Sequence, residues 1–170
     1  MSLTRIGDIR DIAVDFELFD EGNGNFRIWF DSIPIGSYEE GDLSHVFVRH
    51  MKFLCEWITS DSFPLVPSDL DDIEKLLTID SYVEITGNTE LDFDEHMLFF
   101  GSCFDAFLIR AYRQGADLLF VFGVIREDQF PSVPPGMHWR RFDRVVAFEV
   151  FQRAVDLIEG DMSRFRAGTH

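Results

Sequence analysis

Five side chains that can bind a metal ion through oxygen or nitrogen lie within a single short segment. They are Glu90, Asp92, Asp94, Glu95 and His96. Carboxylates and an imidazole are metal ligands, but this segment has neither the glycine nor the terminal glutamate of a calcium loop, and a metal ion would need further ligands from elsewhere. We therefore interpret the segment as a solvated acidic loop or a protein-binding surface, and we predict no metal site.

The nucleophilic residues do not predict catalysis. Cys55 and Cys103 belong to no CxxC pair, so neither a zinc site nor a redox dithiol is indicated. Cys103 lies in an apolar segment, which predicts an inert thiol even with His96 or His138 as a hypothetical partner. His50 falls on the apolar stripe of a predicted helix and is interpreted as a core histidine. We predict that the chain is not an enzyme and needs no cofactor.

The net charge of −16 is concentrated in the first part of the chain. Residues 1–100 contain 22 acidic and 6 basic residues, whereas residues 101–170 contain nine of each. A surface of one sign accelerates encounters with an oppositely charged partner and repels nucleic acid phosphates. The charge pattern therefore favours a cationic protein partner and argues against DNA or RNA.

Two acidic clusters have no evident local role in a helix cap or a helix dipole. One precedes the first long helix and the other precedes the central hairpin; their members are Glu39, Glu40 and Asp42, and Glu90, Asp92, Asp94 and Glu95. We predict that at least one of the two clusters contacts a basic partner.

The 170 residues are 46% hydrophobic and include 19 phenylalanines, which predicts one globular domain over residues 1–170. The first twenty residues are interrupted by charges, so they lack the apolar core of a signal peptide. The longest apolar run, residues 118–125, is too short to cross a bilayer. We expect a soluble, cytoplasmic protein that does not bind membranes, and the sequence leaves its oligomeric state open.

The first sixty residues predict a meander followed by a helix. Alternating apolar positions predict strands over residues 12–18 and 26–30, and a proline favours an edge position for residues 33–36. Spacings of three and four then predict a helix from Leu43, with Ser44 or Asp42 as its cap.

The remainder predicts a short helix over residues 68–77 and a hairpin of residues 103–112 and 117–125. An irregular loop over residues 126–138, a strand over 142–146 and a helix from Phe148 to Ile158, ended by Gly160, complete the pattern. Consecutive strands are joined by short turns, as in hairpins, instead of by helices. This pattern predicts an α+β fold: a single domain with an antiparallel sheet and helices packed on one face.

The N-terminal blocks resemble the immunity protein 42 family of bacterial polymorphic toxin systems, and residues 104–110 do so more loosely. The blocks are Ile6-Gly7-Asp8, Ala13-Val14-Asp15-Phe16-Glu17-Leu18, Phe26-Arg27-Ile28-Trp29-Phe30 and Pro34-Ile35-Gly36, followed by the helix from Leu43. The resemblance implies a protein that neutralises a cognate toxin by binding it. It supplies no catalytic residues and no contact residues.

The charge pattern and the resemblance lead to one hypothesis. Toxins that cut nucleic acid present basic surfaces, which an acidic protein can cover while gaining a fast association rate. The sequence thus predicts a cytoplasmic immunity protein that inhibits a basic toxin by occlusion. An acidic adaptor or regulatory domain for an unrelated basic protein is the alternative, and an enzyme that uses the acids of residues 90–96 is a third.

Overall fold

The computed structural model describes residues 3–37, 41–60, 98–125 and 130–168. Within these ranges the strands are β1 (Thr4–Gly7), β2 (Ile12–Leu18), β3 (Asn23–Phe30), β4 (Ile33–Ile35), β5 (Asp42–Leu43), β6 (Phe107–Gln114), β7 (Asp117–Val124) and β8 (Met137–Asp143). The helices are α1 (Ser44–Thr59) and α2 (Arg144–Gly168), and a 3₁₀ turn covers Ser102–Phe104.

The first sheet is an antiparallel meander in the order β1-β2-β3-β4, and β5 pairs with the start of β3. Phe16 lies opposite Phe26 and Val14 lies opposite Ile28, and all four are buried. This arrangement confirms that Phe16 and Ile28 face the core from adjacent antiparallel strands. The period of two in the sequence therefore identified the core face, although Ala13 and Asp15 on the opposite face are buried as well.

The connection between β3 and β4 is a two-residue turn with positive φ at both positions, 48° at Asp31 and 67° at Ser32. This combination belongs to a type I′ turn, whose twist matches that of the flanking strands. The turn is fixed from outside, because the backbone N–H of Asp31 donates to the carbonyl of Asp11 at 2.7 Å. The predicted strands over residues 26–30 and 33–36 are therefore joined directly by a tight turn.

The second sheet is antiparallel, in the order β6-β7-β8. Its core face carries Phe120 and Phe122, whose rings stack on Phe30 of the first sheet at centroid distances of 4.7 and 4.9 Å. Helix α2 spans both sheets, since it contacts β1 and β2 of the first and β7 and β8 of the second. One continuous cluster of buried apolar residues therefore holds both sheets and both helices.

The two helices pack against each other and run antiparallel. Lys52 of α1 forms an ion pair with Glu159 of α2 at 2.7 Å. Near the end of α2, Arg166 pairs with Glu21 at 3.5 Å, and the adjacent Gly22 accepts a hydrogen bond from the backbone of Ser44 at the start of α1. The start of α1 thus lies beside the end of α2.

A buried carboxylate organises the outer face of the first sheet. Asp15 is fully buried and accepts two hydrogen bonds from Arg5, at 2.6 and 2.7 Å, and a third from Trp29 Nε1 at 2.8 Å. The guanidinium of Arg5 also lies over the Trp29 ring, 5.5 Å from its centroid. A bidentate partner of this kind is what a buried carboxylate requires, because an unpaired buried charge is strongly destabilising.

The predicted α+β class is confirmed, and the strands divide between two antiparallel sheets. Several boundaries differ from those predicted. The strand predicted from residue 103 begins at Phe107, after the 3₁₀ turn, and the last strand covers Met137–Asp143 instead of residues 142–146. Asp143 then caps α2 by accepting hydrogen bonds from two backbone N–H groups.

Helix α2 runs through Gly160, which was wrongly predicted to end it. Helix α1 begins as predicted, but no side chain caps it, and Leu43 occupies the cap position. A single glycine within a helix costs only about 1 kcal/mol, so packing of the helix can override it. The helix predicted over residues 68–77 lies outside the described residues.

We expect Phe16→Asp to abolish soluble expression. Phe16 is 1% exposed, so the carboxylate of the introduced aspartate would be buried without a partner. The cost is several kcal/mol, about half of the stability of a typical domain. The neighbouring Glu17→Gln, on the opposite face of the same strand, should express and melt like the wild type. Soluble yield and the melting temperature measure both, and an equally stable Phe16→Asp protein would contradict this assignment of the core.

Candidate partner-binding surfaces

Most members of the two predicted acidic clusters lie outside the described residues. These are Glu39, Glu40, Glu90, Asp92, Asp94 and Glu95, and His96 lies there as well. Their contact with a partner stays a prediction.

Asp42 is described, and it is buried, with 5% of its surface exposed. Its carboxylate accepts hydrogen bonds from the backbone N–H of Leu43 at 2.7 Å and of Cys103 at 3.2 Å. The second bond ties β5 to the 3₁₀ turn. Gly101 faces the same carboxylate with a φ of 118°, and a Cβ there would overlap it. Asp42 therefore has a structural role that its neighbours in sequence did not reveal.

The described residues contain a further acidic surface, which we call the acidic end. Its members come from the β1–β2 connection, the β3–β4 turn and the junction of β8 with α2, and they are Asp8, Asp11, Asp31 and Asp143. Burial raises the pKa of Asp11, and the charges of the other three carboxylates raise it further. The three neighbouring charges therefore disfavour the ionised form of Asp11.

Two arginines partly neutralise the acidic end. Arg10 pairs with Asp8 at 3.1 Å, and Arg140 of β8 pairs with Asp31 at 2.6 Å. Sequence analysis missed this surface because its members are far apart in the chain. The density of aspartates over residues 8–15 was the one available signal, and it does not indicate which distant turns approach them.

A concavity lies between α1 and the last turns of α2, and we call it the helical groove. It has a volume of about 730 Å³ and is lined by His45, Val48, Arg49, His50, Lys52, Phe53, Glu56, Glu159, Met162, Ser163 and Arg166. Val48 and Met162 are buried, whereas Phe53 is 49% exposed. The groove thus combines an apolar floor with charged walls, which is typical of binding sites.

His50 lines this groove and is half-buried, so the prediction of a core histidine is wrong. Its ring meets Phe99 edge-on, at a centroid distance of 5.7 Å. Burial lowers the pKa of His50, and the neighbouring charge of Arg49 lowers it further. Both causes favour the neutral imidazole at neutral pH.

The two thiols are buried. Burial raises the pKa of Cys55 to about 12, so this thiol stays protonated and unreactive at neutral pH. Over residues 3–37, 41–60, 98–125 and 130–168, no three metal-ligating side chains lie close enough to hold a metal ion. The described helices include none with the length and apolar character of a membrane span.

No protein-family model matches the chain, and no curated protein matches it. A solved structure of CdiI from Burkholderia dolosa AUO158 is similar in fold, with a TM-score of 0.56 at 10% sequence identity. The match covers 90% of this chain and 99% of that chain. The two proteins therefore share a fold over almost their whole lengths, and membership of the immunity protein 42 family stays a prediction.

We expect Asp42→Ala to destabilise the protein by about 2 kcal/mol, because it removes a buried charged acceptor from two backbone N–H groups. For a chain of this size the melting temperature should fall by roughly 4–8 °C. Asp105→Ala, which removes an exposed carboxylate close to the same 3₁₀ turn, is the matched control. Equal melting temperatures for the two variants would show that Asp42 is not structural.

Proposed function

We propose that this chain is an immunity protein that binds a cognate bacterial toxin and neutralises it by occlusion. The observation that carries the proposal is the similarity in fold to CdiI, a contact-dependent inhibition immunity protein, over almost the whole of both chains. The N-terminal resemblance to the immunity protein 42 family leads to the same class by an independent route, from strand and turn residues.

Electrostatic attraction gives the proposed inhibitor its speed. Residues 61–97 contain eleven acidic residues and one lysine, and the acidic end adds four carboxylates, two of which are paired with arginines. A basic toxin would be drawn to so much negative charge, since complementary fields raise association rates well above those of neutral pairs. An inhibitor that meets its toxin inside the cell gains directly from rapid capture.

The proposed mechanism is binding without chemistry. A protein–protein interface of ordinary size covers about 800 Å² on each partner, enough to close an active-site cleft. Occlusion requires shape and charge complementarity but no nucleophile, which agrees with the high pKa of Cys55. The cytoplasm is the proposed location, because a toxin that enters a cell must be intercepted there.

The proposal predicts that an adjacent gene encodes a large secreted protein with a C-terminal toxin domain, and the test is protection of growth by co-expression with that domain. We expect the wild type to restore growth, and Cys55→Ala, Cys103→Ala, His96→Gln and His138→Gln to do so equally. A complex with the purified toxin domain should form with a dissociation constant below about 10 nM.

Two outcomes would contradict the proposal. Failure to bind or to protect against that toxin, with capture of an unrelated basic protein instead, would favour the acidic adaptor. Loss of protection in one of the four variants, with unchanged stability and toxin affinity, would indicate chemistry by the substituted residue.

Association kinetics test the role of the acidic clusters. We expect neutralisation of a participating cluster to slow association about tenfold at low salt, because long-range attraction is screened beyond roughly 8 Å at physiological salt. The melting temperature should hardly change, since exposed charges contribute little to stability. One variant carries Glu39→Gln and Glu40→Gln, and the other carries Glu90→Gln, Asp92→Asn, Asp94→Asn and Glu95→Gln.

Asp42 is left intact in these variants because of its structural role. The control carries Asp105→Asn and Glu149→Gln, which remove two exposed charges elsewhere. An association rate that is independent of salt in the wild type, and unchanged in both variants, would mean that the interface lies elsewhere and that the acids serve solubility.

A further inference from the structure

The outer face of the first sheet carries two neighbouring side chains that lack a hydrogen-bond donor. Glu17 of β2 lies directly opposite Asn25 of β3, and such pairs have Cβ atoms about 5 Å apart. Both point away from the core, since the adjacent Phe16 and Phe26 point into it. Asn25 is 8% exposed, and its Oδ1 is buried without a hydrogen-bond partner. The half-buried carboxylate of Glu17 forms no hydrogen bond or ion pair with a residue that the structure describes.

The next carboxylate on the same face is fully satisfied. Asp15 accepts two hydrogen bonds from Arg5 and one from Trp29. Arg27, which lies opposite Asp15, holds its guanidinium 5.7 Å from the centroid of the Trp29 ring. Neither of these two arginines, the ones that the structure describes on this face, forms an ion pair with Glu17. The face therefore supplies a cation to Asp15 and none to Glu17.

Exposed apolar side chains lie around the two unpaired acceptors. They are Leu3, Phe19 and Leu43, each with at least 40% of its surface exposed. Leu3 directly precedes β1 and continues its register with β2, which places it opposite Glu17. The backbone N–H of Phe19 donates to Asn23 at 2.9 Å and extends the β2–β3 ladder, and Leu43 lies opposite Asn23 on the other side. A polar centre inside an apolar rim is the arrangement of an interface hot spot, because the rim excludes water on docking.

We propose that this patch, formed by Glu17, Asn25, Leu3, Phe19 and Leu43, binds an arginine side chain of the toxin. A guanidinium presents several N–H donors in one plane, so it can bond a carboxylate and a neighbouring amide oxygen together. Its apolar stem would pack against the exposed rim. The inference rests on the proposed function and names the group that the toxin presents to this face.

The unpaired oxygen of Asn25 distinguishes a binding role from a structural one. A buried acceptor without a donor destabilises the free protein, and a toxin arginine would supply the missing bond. Replacement of Asn25 by valine, which suits a strand and has no polar atom, should therefore leave the melting temperature unchanged or raise it. The same replacement should weaken binding. A residue that only maintained the fold would show the opposite effect on stability.

The test measures binding of the purified full-length chain to the toxin domain that the proposed function assigns to the adjacent gene. We expect Glu17→Gln to weaken the affinity about tenfold and Asn25→Val at least tenfold, mainly through faster dissociation, because both remove a contact of the docked state. Glu149→Gln is the matched control, since Glu149 is an exposed acid of α2 outside the patch, and it should bind within twofold of the wild type. Circular dichroism melting of each variant accompanies the binding data.

A double-mutant cycle identifies the group that binds. Each surface arginine of the toxin domain is replaced by alanine and measured against the wild type and against Glu17→Gln. We expect one toxin variant to weaken binding to the wild type while it weakens binding to Glu17→Gln much less, because the two residues share one interaction.

The outcomes separate this inference from the proposed function. If the wild type fails to bind, the proposed function is overturned, and the inference with it. If the wild type binds while Glu17→Gln and Asn25→Val bind equally well, or if no toxin arginine is coupled to Glu17, the inference alone is overturned. A lower melting temperature for Asn25→Val would overturn it as well, and so would a dimer of the free chain that Glu17→Lys dissociates, since a second copy would then occupy the patch.

Discussion

The stacking of Phe30 between Phe120 and Phe122 is the contact on which the remaining architecture depends. The described strands form two separate sheets, and this ring belongs to one sheet while it packs in the core of the other. Offset aromatic pairs contribute about 0.5–1.5 kcal/mol each beyond the burial of their area. Phe30 also ends β3 directly before the tight turn, so the turn at Asp31 fixes where the ring enters the second sheet.

The charged surfaces follow from this apolar junction. Because the β3–β4 turn is held against both sheets, Asp31 lies beside Asp11 on one side and reaches Arg140 of β8 on the other. The acidic end is thus brought together by the packing of apolar residues, and two of its members also make local contacts, since Asp31 pairs with Arg140 and Asp143 caps α2. Burial and like charges raise the pKa of Asp11, and the fold tolerates this because the aromatic core supplies the stability.

The sequence predicted the strongly periodic helices and strands well, but it predicted their boundaries and the tertiary contacts between them poorly. The alternation in β2 and the spacing in α1 identified both elements, because a local period reflects which face is buried. The sequence could not predict that α2 continues through Gly160. The tertiary contacts of the apolar stripe of α2 outweigh the low helix propensity of this one glycine. Local sequence also failed to predict the role of Asp42. This residue belongs to an acidic stretch that is typical of an exposed loop, but in the fold it is buried and bonded to Cys103, which is distant in the sequence.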